Sequence, residues 1–285
     1  MTESGIHCRR EAELIDRSGL LAPDEPAPYR VLAASAVFPV LLVCDHATNR
    51  IPAKLGTLGL EKANLNTHMA LDIGAAAVTE HLSRCLDIRA VLSGYSRLVV
   101  DCNRRLSDSS AFPEKIDGVV IPENQALGDV NRRARCEEIY WPYHNAVAEQ
   151  LAELEDSCSA PALIAIHSFT PMLGGRDRPW HLGILWDKDA RIPVPLMEAL
   201  RSVSGIEVGD NEPYSGKHPH DFTVDHHAEE HGLPHVSIEL RQELIETVEG
   251  AKYWGDILAE ALAPILGNAN IYTRLSTEKS QNQTV

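Results

Sequence analysis

Short, nearly uninterrupted apolar runs punctuate the chain, and each ends in polar residues. FPVLLVC (38–44), IRAVLSGYSRLVVD (88–101), APALIAIHSF (160–169), HLGILW (181–186) and PHVSIEL (234–240) have the length and the lack of polar alternation expected of strands buried on both faces. Between them lie stretches with apolar residues at helical spacing. These are 67–86, carrying Met69, Ile73, Ala76, Ala77 and Val78, then 131–155, 194–203 and 243–266. The alternation predicts a three-layer α/β fold: a central, largely parallel or mixed sheet with helices on both faces. Ligands of such a fold bind beyond the carboxyl ends of the strands. Residues 1–36 mix charge, proline and glycine without a period and read as an arm. Residues 37–273 read as one domain, and RLSTEKSQNQTV (274–285) as a polar tail.

Charge narrows the partners. Lys and Arg number 26 against 41 Asp and Glu, a net charge of -15, and nucleic acid or an anionic membrane surface would call for the opposite sign. The chain contains neither an apolar run of membrane-spanning length nor an apolar leader near Met1, so a cytoplasmic location is expected. Six cysteines are scattered without a C-x-x-C pair and read as reduced thiols. Seven of the 13 histidines fall between His181 and His235, an enrichment that favours metal chemistry.

The polar residues that close the strands carry the candidate chemistry. Asp45, His46 and Asn49 follow the first strand; Arg97, Asn103 and Arg104 flank SRLVVDCNR; His167 closes the third strand and Glu239 stands near the end of the last. Two neighbouring parallel strands can deliver His46 and His167 to one divalent cation. Catalytic zinc takes three protein ligands and keeps one position for water. Asn49, Asp45 and Asp72 are the candidates for the third. A rival pattern, H-x-x-E-H over His227–His231, runs into Gly232 and Pro234, so the long helix such a site needs is missing. The Gly- and Pro-rich stretch NEPYSGKHPHDFTVDHH (211–227) reads instead as a lid, with Tyr214 and His227 facing substrate. No phosphate-binding glycine loop and no G-x-S-x-G elbow is present.

Five segments in order, CDHATNRIP, HMALDIGAAAV, SRLVVDCNR, AIHSFTP and LPHVSIELRQELI, together resemble the N-formylglutamate amidohydrolase family over roughly residues 38–262. The resemblance implies a catalytic domain with a zinc-carboxypeptidase-like fold, related to aspartoacylase-like deacylases, and one zinc per chain. It implies His46 and His167 as zinc ligands and Glu239 as the base that activates water. Arg97 would polarise the scissile carbonyl, with Asn103 and Arg104 gripping a substrate carboxylate. The relatives' H-x-x-E becomes His46-Ala47-Thr48-Asn49 here, which leaves the third ligand open between Asn49 and Asp72. The implied activity is hydrolysis of an N-formyl or other N-acyl amino acid, with N-formyl-L-glutamate leading. The alternatives are an amidase or peptidase on another N-acyl compound, or a non-catalytic family member that binds a small anion.

Overall fold

The computed structural model of the chain describes residues 19–35, 37–217 and 221–275. Residues 1–18 of the expected arm, 276–285 of the expected tail and 218–220 of the expected lid lie outside the described residues. In chain order the elements are β1 (Tyr29–Leu32), β2 (Val40–Cys44), α1 (Ala75–Leu86), β3 (Arg89–Ser93), β4 (Lys115–Ile116), β5 (Val119–Val120), α2 (Asp129–Arg135) and α3 (Trp141–Glu155). They continue with β6 (Ala162–Phe169), β7 (Met172–Leu173), β8 (Arg176–Asp177), β9 (Leu182–Leu185), α4 (Pro193–Arg201), β10 (Val208–Asp210), α5 (Phe222–His227), β11 (His235–Arg241) and α6 (Val248–Leu266).

Seven strands form one sheet in the order β1-β3-β2-β6-β11-β9-β10. The central four, β3, β2, β6 and β11, run parallel, while β1 and β9 pair antiparallel to their neighbours β3 and β11. The sheet is therefore the mixed, mostly parallel one that the apolar runs predict. Both faces are covered, and the side-chain period of two divides each strand between two cores. Val40, Leu42 and Cys44 of β2 enter one core with α1, α4 and α6; Leu41 and Val43 enter the other with α3.

Three expected elements are shorter than their patterns, the helix 243–266 beginning only at Val248 after a 3₁₀ turn. The strand 88–101 ends at Ser93, because Gly94 passes so close to the Ala27 and Pro28 backbone that a Cβ there would meet Ala27 O at 2.3 Å. Leu98, Val99 and Val100 are apolar but fill the second core from a chain of turns. The helix 67–86 begins only at Ala75, after Gly74 at φ 80°. Residues 67–73 turn tightly instead and present Asp72, whose N–H donates to His46 O at 3.0 Å. The segment expected as an arm contributes the edge strand β1, and Leu20, 2% exposed, packs in the second core.

The connections fix where a ligand can sit. β2 leads through α1 to β3 on one side, and β3 leads through α2 and α3 to β6 on the other. The order reverses between β2 and β6, and the crevice beyond their carboxyl ends is the switch point at which α/β sheets bind ligands.

Candidate active site

His46 follows the end of β2, and His167 lies near the end of its neighbour β6. Their imidazoles face each other with centroids 5.3 Å apart. His46 Nδ1 and His167 Nδ1 lie 3.2 and 2.9 Å from one oxygen, Asp72 Oδ2. The remaining ring nitrogens are each backed by a carboxylate. His46 Nε2 is 2.8 Å from Asp101 Oδ1, and His167 Nε2 is 3.3 Å from Asp45 Oδ2, without hydrogen-bond alignment. Asp45 is fixed through its other oxygen, which accepts from Tyr143 Oη at 2.8 Å and Thr223 Oγ1 at 2.6 Å.

Glu239 stands opposite His167 in the β11–β6 register. Val236, Ile238 and Leu240 enter the first core, so strand parity turns Glu239 to the other face. The residue is 7% exposed and its Oε2 has no partner. Arg97 donates through Nη2 to Asp101 Oδ2 at 2.9 Å and through Nη1 to Asp72 Oδ1 at 3.4 Å. His46, Asp72, Arg97, Asn103, Arg104, His167, Tyr214 and Glu239 all line one cavity of about 320 Å³, at the small end for a ligand pocket.

The charges are strongly coupled. Burial would raise the Asp72 carboxyl, yet the two imidazoles hold it well below the usual carboxylate range. Asp101 is likewise held low against burial by Arg97 and His46, and Asp45 is lowered to about 2 against burial by His167. Burial would depress His167, but Asp45 and Asp72 raise it well above the ordinary histidine value. Glu239 goes the other way. Burial lifts it to about 7, with Asp72 adding to the rise and His167 opposing it.

This donor set fits a divalent cation. Two imidazole nitrogens and a carboxylate oxygen converge within 4.8 Å, a His₂-carboxylate set like that of several catalytic zinc sites. A carboxylate behind each imidazole is the usual arrangement for metal-bound histidine, fixing the ring and its tautomer. The carboxylate-rich surroundings also supply the negative charge that a cation would balance.

Two expected residues are not brought together with the rest. Asn49 turns away, its amide donating to Leu65 O at 2.8 Å and Asn66 Oδ1 at 2.9 Å, so it does not join the cluster. His227 lines a separate hollow with His231 and Arg274, and its Nε2 lies 3.0 Å from His144 Nδ1. The H-x-x-E-H stretch is broken as its glycine and proline foretell, since α5 ends at His227 and a short 3₁₀ turn spans Glu229–His231.

Other residues join the site without having been singled out. Asp221 and Ser168 line the cavity. Asp101 backs His46, and Arg178 holds Tyr214 by donating to its hydroxyl at 3.0 Å while stacking 4.7 Å from its ring. Asp101 is the most readable of them, lying four residues after Arg97 in SRLVVDCNR. Arg178 leaves no such signal, because it reaches the site only through the β7–β8 hairpin and the Tyr214 loop.

Residues 38–246 match the family described as N-formylglutamate amidohydrolase. A gene product of Agrobacterium tumefaciens of solved structure is similar with a TM-score of 0.83 at 36% identity, covering 87% of this chain and 98% of its own. The N-formylglutamate amidohydrolase of Ralstonia eutropha JMP134 shares the fold, with a TM-score of 0.66 at 17% identity over 85% of this chain and 97% of its own. No curated protein matches the chain.

Proposed function

The chain belongs to the N-formylglutamate amidohydrolase family, and on that premise we propose that it is a zinc-dependent hydrolase cleaving the amide C–N bond of an N-formyl or other N-acyl amino acid. N-formyl-L-glutamate is the leading substrate, and residues 37–273 form the catalytic domain. The family supports amide hydrolysis and a small amino-acid substrate. The zinc reading is carried by one observation: His46 Nδ1 and His167 Nδ1 converge on Asp72 Oδ2 with carboxylates behind both rings.

In this reading His46, His167 and Asp72 hold the ion, and Asn49 takes no part. A bound divalent cation supplies Lewis acidity, which polarises an acyl carbonyl and acidifies water. Glu239 manages the proton. As the water oxygen bonds to the acyl carbon, Glu239 Oε2 takes the water's proton; as the C–N bond breaks, that proton passes to the departing nitrogen. Formate and a free amino acid result from the formyl substrate. Burial pushes the Glu239 carboxyl above the usual carboxylate range, in the direction that makes it a better proton acceptor.

Arg97, held at the cavity wall by Asp101 and Asp72, places a fixed positive charge beside the negative charge that develops on the carbonyl oxygen. Arg104 and Asn103 line the same cavity and match a carboxylate, the guanidinium as a fork of two donors. Tyr214, steadied by Arg178, lines the same cavity. The test is zinc content of protein purified without added metal, paired with formate release from N-formyl-L-glutamate before and after chelation. At least one zinc per chain with chelator-sensitive release is expected. Zinc with turnover only of other N-acyl amino acids would redirect the substrate, and absence of zinc after supplementation would refute the metal.

A further inference from the structure

Away from the cavity, a second group of metal-ligating side chains bridges two helices. His81 and Cys85 are four residues apart on α1 and therefore share one face. Asp256 reaches them from α6. Cys85 Sγ lies 3.2 Å from His81 Nε2, and Asp256 Oδ1 lies 2.6 Å from the same nitrogen. All three donor atoms fall within 4.8 Å of one another, and none of the three residues lines the catalytic cavity.

The placement depends on a glycine. A Cβ on Gly255 would meet His81 Cδ2 at 2.6 Å, so the bare backbone of α6 is what lets the imidazole seat between the helices. The ring is largely enclosed, 13% exposed, while Cys85 is open to solvent. Asp256 divides its oxygens, turning Oδ1 to His81 and Oδ2 to Lys252 Nζ at 2.8 Å.

Two chemistries could use a Cys, a His and an Asp. A thiol nucleophile needs the carboxylate on one ring nitrogen and the sulfur on the other, so that the imidazole relays a proton. Here both partners address Nε2, which makes no relay. Convergence on one point is instead the geometry of ligation. Zinc bonds of about 2.0 Å to nitrogen and oxygen and 2.3 Å to sulfur put tetrahedral donors roughly 3.3–3.5 Å apart. The sulfur–nitrogen separation is nearly there, and the oxygen–nitrogen separation must widen by about 0.7 Å, within the swing of a half-exposed aspartate.

We propose that His81, Cys85 and Asp256 form a second, solvent-open zinc site that staples α1 to α6. Binding releases the Cys85 thiol proton to solvent and places the imidazole proton on Nδ1, leaving Nε2 to the metal. The fourth position faces water. Lys252 opposes binding, because its ammonium competes for Asp256 and repels a second cation.

Cobalt(II), titrated into metal-stripped protein, tests this apart from the catalytic centre, whose expected ligands include no sulfur. The expected result is a near-ultraviolet thiolate-to-cobalt charge-transfer band that accounts for about one ion per chain beyond the one taken up by His46, His167 and Asp72, absent in Cys85→Ser and in His81→Gln. Lys252→Ala should tighten binding several-fold. Because Cys85 is exposed, serine there leaves the fold intact, as circular dichroism will verify. A wild-type protein without the band, or a band that survives in Cys85→Ser, overturns the proposal.

Discussion

Glu239 and the two rival third ligands, Asn49 and Asp72, carry the sharpest tests at the scale of single residues. Glu239→Gln keeps the shape and burial of the side chain but cannot take a proton. Turnover should fall by about 10² to 10⁴ while zinc content holds, the usual worth of a positioned acid–base group. Steady-state kinetics beside elemental analysis checks this, and unchanged turnover removes Glu239 from its role. Asn49 and Asp72 compete directly as third ligand. The Asn49 amide is spent on Leu65 O and Asn66, whereas Asp72 Oδ2 receives both imidazoles. Asn49→Ala should therefore retain zinc, and Asp72→Asn should lose it by well over the roughly 10- to 100-fold typical of a residue behind a ligand. The sequence shows His46, His167 and Glu239 as candidates because each interrupts or closes an apolar strand. It cannot choose between Asn49 and Asp72, since the choice is made by the turn at 67–73 folding back onto His46 O.

Helices and strands were legible wherever one pattern served one element, as in β2, β6 and β11, whose runs of buried residues follow directly from cover on both faces. A pattern that joins two structures looks like one element. Leu98–Val100 look like a continuation of β3 because core-filling turns and buried strands are both apolar, and the break at Gly94 comes from a distant stretch of backbone. The start of α1 poses the same problem with a measurable consequence. Gly74 combines φ 80° with an approach that would set a Cβ 2.2 Å from Ile245 O, while Gly118, at φ 87°, has open space around it. Gly118→Ala should cost about 1 kcal/mol for conformation alone, and Gly74→Ala about 3 kcal/mol or more once the collision with the chain ahead of α6 is added. Urea midpoints of the two variants check this; equal losses would mean that the approach at Gly74 relaxes freely.

At the scale of the molecule, one topological fact organises the site: the reversal of strand order between β2 and β6 opens the crevice into which both imidazoles project. Loops from remote parts of the chain then close it, and one of their anchors is a pair of neutral histidines. His144 on α3 donates from Nε2 to Cys102 O at 2.9 Å, so its Nδ1 must accept, and the His227 Nε2–H on α5 supplies that donor at 3.0 Å. The ring planes lie within 20° of each other with centroids 5.2 Å apart, the edge-to-edge arrangement such a bond requires. A proton on His144 Nδ1 would confront the His227 donor. Burial depresses His144 to about 4 and His227 to about 3, in the latter case with help from His144 and His226. Below a pH of about 6.5 the unfolded chain takes up protons at these histidines that the folded chain refuses, so stability should fall with pH through the window from about 6.5 to 4. Either histidine alone is worth about 3 kcal/mol across that window; the pair is worth less than twice that, because charging one opposes charging the other. Carboxylates held low near the cavity also lose stability on acidification, but at lower pH, so urea unfolding at pH 7, 6, 5 and 4 should be compared between wild type and His227→Leu. The variant should be less stable at pH 7, where His144 loses its donor, and its stability should decline less steeply between pH 6.5 and 5. Parallel curves would show that the acid sensitivity arises elsewhere and that the two rings do not tie α3 to α5 through their shared proton.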